Sequence, residues 1–216
     1  MRVLANPLAG GGAQRPGKRV RRPVGWHKAA GGSPEQRLVQ AAAAGDLRQV
    51  VAALDEGGAQ IDARDAHSGL TALAAASAAG AAPVVVELLR RGADAYAYAD
   101  GGATPMTLAA RGGHLACLRL LNDAGADAFA MADDGRTPLS EAAAAGAADC
   151  ILYLSEGCFV PIRDEVVSES IRTGEHALQL AARSGHAGAV DVLLRLGARA
   201  NRVDACGRSA LWEAAR

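Results

Sequence analysis

The chain has 216 residues, half of them apolar, and a formal net charge of zero, which allows one or two domains with a sizeable core. Two Trp, three Tyr and two Phe are its only aromatic residues, so that core must be built from Ala, Leu and Val. No run approaches membrane-spanning length and "MRVLANPLAGGG" lacks the apolar stretch of a secretory leader, so a membrane-spanning protein is excluded and an intracellular one, cytoplasmic or nuclear, is expected.

The charges are unevenly placed. Residues 1–34 hold seven basic residues (Arg2, Arg15, Lys18, Arg19, Arg21, Arg22 and Lys28) and no acid, which leaves 16 basic against 23 acidic residues for the remainder. Gly and Pro supply 11 of those 34 residues, so 1–33 is expected to be a disordered basic leader. Within it Gly12, Gly17 and Lys18 match the spacing of a phosphate-binding loop. That chemistry needs a Gly-rich turn between a strand and a helix and a hydroxyl for Mg²⁺. Arg19 stands where the hydroxyl belongs, Pro16 stiffens the turn and no strand precedes it, so the match is fortuitous. Weak nucleic-acid contact, nuclear import or attachment to an anionic surface are the remaining roles for this arm.

Beyond it the sequence repeats itself. "LVQAAAAGDL", "LAAASAAGAA", "MTLAARGGHL", "LSEAAAAGAA" and "LQLAARSGHA" place Gly45, Gly80, Gly113, Gly146 and Gly185 at intervals of 35, 33, 33 and 39 residues. Each is followed by apolar residues at helical spacing, Val85, Leu88 and Leu89 in the second unit and Val190, Leu193 and Leu194 in the fifth. A second Gly then opens "GAQIDA", "GADAYA", "GADAFA", "GCFVPI" and "GARANR", fit for a left-handed helix stop. Ser33, Pro34 and Gln36 carry capping-box spacing at the start of the first unit. A unit of two short helices cannot bury its own apolar face, but a stack of them can.

These motifs, "ATPMTLAARGGHLACLRLLNDAGADAFA" and "RTPLSEAAAAG" above all, resemble ankyrin repeats over residues 34–216. The resemblance implies an all-α solenoid of stacked helix-turn-helix units with short β-hairpin fingers: repeats near 34–65, 66–100, 101–133, 134–164 and 170–204, and a partial sixth at 205–216. The fifth lacks Thr-Pro, having His176–Ala177, and a lengthened loop spans 160–176. The sixth stops inside its first helix, either as a terminal half-cap or, as expected from the apolar face it would leave uncovered, because the chain is a fragment of a longer protein.

Function follows the same resemblance. Ankyrin repeats imply a non-catalytic scaffold that binds another protein through its fingers and concave groove, here expected to be monomeric; a targeting module of a larger enzyme is the alternative. "ADAYAYADGG" and "ADAFAMADDG" align without gaps, so Tyr96 matches Phe129 and Tyr98 matches Met131. Residues two apart in an extended finger point the same way, so these four are expected to form one ribbon, with Phe159 in the next finger. Asp100, Asp133 and Asp134 mark finger tips, and Arg111, Arg136, Arg183 and Arg208 form a basic row on the groove side. His114 and His186 are expected to make a local bond at a helix start. No cofactor, metal or catalytic residue is expected: Cys117, Cys150, Cys158 and Cys206 show no ligand spacing, and no nucleophile or phosphate-binding signature lies in the repeats.

Overall fold

A computed structural model of the chain describes residues 32–158 and 176–215. The leader up to Gly31, Phe159 and most of the 160–176 loop lie outside the described residues. Among the described residues ten α-helices follow in five pairs, with an eleventh after them: α1 (Pro34–Ala43) and α2 (Leu47–Asp55), α3 (Ala72–Ala78) and α4 (Ala82–Arg90), α5 (Pro105–Arg111) and α6 (Leu115–Asp123), α7 (Pro138–Ala144) and α8 (Ala148–Leu152), α9 (Ala177–Arg183) and α10 (Ala187–Arg195), then α11 (Ala210–Ala214). The odd-numbered helices pack in one row and the even-numbered ones in a second. This is the two-layered stack that the repeat period predicts.

Local chemistry sets each helix's ends. Ser33, Thr71, Thr104, Thr137 and Ser209 cap the odd row by accepting a hydrogen bond from a backbone N–H three residues on. His176 stands at the same place, and there Gln179 Oε1 accepts from the His176 N–H at 2.8 Å. At the other end Gly80 takes φ +71, with bonds from its own N–H to the Ser77 carbonyl and from Ala81 N–H to the Ala76 carbonyl. The same pattern recurs at Gly45, Gly113, Gly146 and Gly185. The even-row helices α4, α6 and α10 end in the same way at Gly92, Gly125 and Gly197, but Gly157 after α8 does not take positive φ: α8 runs instead into a π-helical turn, Tyr153–Gly157, in which the Tyr153 ring lies beside that glycine.

The core is thin and continuous, as an Ala-rich stack requires. Ala75, Ala76, Ala109, Ala110, Ala142, Ala143, Ala181 and Ala182 bring the odd-row helices close, while Leu38, Leu73, Leu88, Met106, Leu118, Leu121, Leu139, Ile151 and Leu193 fill the space between rows. Leu194 is exposed, although its spacing suits an inward face. With Val190, Ala210 and the still more exposed Leu211 it borders an apolar trough of about 630 Å³ between α10 and α11.

Two expectations need correction. The fingers are not β-hairpins: among the described residues the only ladder contact is a single bridge, Val203 to Ser209. Two bonds close each tip of the second and third fingers: Ala99 N–H to the Ala103 carbonyl at 2.8 Å with Gly102 N–H to the Ala99 carbonyl at 3.1 Å, and Ala132 N–H to the Arg136 carbonyl at 2.9 Å with Gly135 N–H to the Ala132 carbonyl at 2.8 Å. Tight turns at the base, where Asp94 and Asp127 side chains accept from Tyr96 and Phe129 N–H, use the groups that a ladder would need. His114 makes no local helix-start bond either; its Nε2 lies 3.1 Å from the Ala78 carbonyl of the preceding repeat.

Candidate functional site

Alternation survives in the fingers without a ladder. Ala93, Ala95 and Ala99 of the second finger and Ala126, Ala128, Ala130 and Ala132 of the third turn inward and are buried. The intervening residues turn outward, leaving Tyr96 54%, Tyr98 52%, Phe129 47% and Met131 48% exposed. Large apolar side chains half exposed in register on neighbouring units form a patch rather than a scatter. All four are thus half exposed, two on the second finger and two on the third.

The ribbon is held rigidly. The Tyr96 hydroxyl donates to the Gly125 carbonyl at the base of the next finger. Asp94 N–H donates to Asp62 Oδ1 at 2.9 Å, linking the first finger to the second, and Asp133 N–H donates to the Gly101 carbonyl at 2.9 Å, linking second to third. The tip aspartates also explain two glycines. A Cβ on Gly69 would meet the Asp100 carboxylate at 2.0 Å, and one on Gly102 would meet Asp133 Oδ1 at 2.5 Å. Each tip carboxylate thus lies over the glycine of the preceding finger, so Asp100 and Asp133 help to set the spacing of the row.

The basic row is less free than its sequence suggests. Arg111 donates to both oxygens of Glu141, from Nε at 3.1 Å and Nη2 at 2.8 Å, and Arg136 Nη1 stands 3.6 Å from the same carboxylate. Glu141 is only 2% exposed. Arg136 also lies 3.6 Å from Asp134, and its N–H donates to Asp134 Oδ1. Arg208 pairs with Asp204 at 2.6 Å and with the buried Glu213 at 3.2 Å. Arg183 sits on α9 at the position Arg111 holds on α5, exposed at the surface.

Glu141 was legible as an anomaly, a charge at the helix position that neighbouring repeats fill with Leu108 and Leu180. Spacing alone gives no sign that two arginines from different repeats converge on it. Among the described residues no group of His, Cys, Asp and Glu has the arrangement of a metal site. None of their helices is long and apolar enough to cross a membrane.

A family model described as ankyrin repeats (three copies) matches residues 38–131 and 75–164, and a second, for the single ankyrin repeat, matches residues 173–205. No curated protein matches the chain.

Proposed function

The chain belongs to the ankyrin-repeat family, whose repeats are protein-interaction modules, and we propose that it works as a non-catalytic scaffold that grips a partner protein on the ribbon of Tyr96, Tyr98, Phe129 and Met131. The observation that carries this reading is their joint exposure on two adjoining, cross-linked fingers. Aromatic and Met side chains are the residue types that anchor interfaces, and a surface already fixed in place loses little conformational entropy on binding.

The test is capture of partner proteins by the full chain and by two double variants. Tyr96→Ala/Phe129→Ala removes half the ribbon. Val86→Ala/Leu152→Ala removes two comparably exposed apolar side chains from the even-row helices. A partner lost only by the finger variant supports the reading, whereas one retained by it and lost by the other moves the interface to the even-row helices.

A further inference from the structure

The outward residues of fingers two and three fall into parallel rows across the stack. Asp94 and Asp127 form the row at the base, Tyr96 with Phe129 and Tyr98 with Met131 form the middle, and Asp100 and Asp133 form the row at the tips. The apolar strip therefore has a carboxylate border along both edges. We propose that its partner is a cationic amphipathic segment of another protein, with apolar side chains along its middle and Lys or Arg along both margins. This rests on the finger reading above and names the chemistry of what binds there.

The charge pattern carries the inference. Asp62, Asp94, Asp127 and Asp133 make no ion pair with any described residue, and Asp100 has only the exposed Arg64 at 3.9 Å. Asp94 and Asp127 each spend one oxygen on a backbone N–H and keep the other. Like-charged neighbours around an apolar strip repel an anionic or neutral visitor's carboxylates and reward a cation with the attraction that the fold leaves unanswered. Tyr and Phe faces add to this, because a guanidinium or ammonium passing over an aromatic ring is attracted to it. A polyanion such as nucleic acid finds the opposite field here.

The experiment uses two labelled peptides and fluorescence anisotropy with the full chain. One peptide has Leu and Trp along one face and Lys along both margins of that face; its sibling carries Glu in place of each Lys. The first is expected to bind and the second not, with affinity falling as salt rises through the range where the screening length drops from about 10 to 3 Å. Tyr96→Ala/Phe129→Ala is expected to weaken binding about tenfold or more, the range of interface hot spots. Asp94→Asn/Asp127→Asn keeps the oxygen that closes each turn and removes only the charge; a loss of about three- to tenfold with a flatter salt dependence is expected. Asp149→Asn/Glu156→Gln, the same charge change at two exposed positions, on α8 and in the π-helical turn after it, is expected to leave binding unaltered. Equal binding of both peptides, binding of neither, or an equal loss from the two charge-neutralised variants overturns the cationic preference. Any of these beside a finger-dependent capture leaves the scaffold reading standing and discards only its chemistry.

Discussion

Glu141 offers the sharpest test of the packing account, because opposite changes at one ion cluster are expected to differ in cost. Arg111→Ala removes two charge-assisted hydrogen bonds of 2.8 and 3.1 Å from a carboxylate that is 2% exposed. Such bonds contribute about 1.5–3 kcal/mol each when well desolvated. The Arg111 side chain is 54% exposed, so solvent screens its half of the pair, and Arg136 remains 3.6 Å away. A loss of about 1–2 kcal/mol is the expected net result. Arg111→Ala/Arg136→Ala leaves the buried carboxylate without either cation, and about 3–5 kcal/mol is expected, more than the two single losses combined. Glu141→Leu goes the other way. It installs the residue found at positions 108 and 180, and both guanidiniums can turn to water, so the change is expected to lie within about 1 kcal/mol of zero. Urea unfolding followed by far-UV circular dichroism at pH 7 measures these three variants beside Arg136→Ala and the parent chain. A Glu141→Leu cost above about 2 kcal/mol, or a strictly additive arginine pair, refutes the assignment of Glu141 as a buried charge held by two arginines.

Gly80→Ala meets two obstacles, a φ of +71 and a Cβ 2.5 Å from His114 Nδ1. Unfolding measurements are expected to show a loss of about 1–3 kcal/mol, part of it recovered when His114→Ala is added. The pH dependence rests on Glu87, which hydrogen bonds from Arg90 and Arg91 hold at about 2, below its ordinary 4.5. A lowered folded-state value means that the stabilisation is complete above pH 4.5 and fades as pH falls toward 2, so Glu87→Gln is expected to differ from the parent at pH 7 and to converge with it in acid unfolding curves. Thiol labelling of the native chain is expected to modify Cys206 first, which is exposed, and to spare Cys117 and Cys150, whose burial raises both thiols and pushes Cys150 up to about 11. Equal native-state rates at all four cysteines would contradict the packing.

Much of the fold could be read before any coordinates. The helix pairs follow from the apolar spacing, the helix starts from Ser33 and the Thr-Pro pairs at 104 and 137, and the left-handed stops from the recurring glycines, because each of these is a local interaction. The outward set of Tyr96, Tyr98, Phe129 and Met131 was legible for the same reason: period-two alternation needs only neighbours in sequence. What escaped was long-range. His114 reaches 36 residues back to the Ala78 carbonyl, and Glu141 draws on Arg111, 30 residues away. Gly157 fails as a helix stop because the Tyr153 ring and a π-helical turn take its place. In the second and third fingers the expected hairpin ladders do not form because Asp94 and Asp127 fold the finger bases into side-chain-closed turns.

The central claim is that the finger ribbon holds the partner. Its most direct test is the affinity of a captured partner, measured by titration calorimetry, for the parent chain and for Tyr96→Ala/Phe129→Ala, with circular dichroism run alongside. The account predicts a loss of about tenfold or more with unchanged helicity. Equal affinities at equal helicity would contradict it.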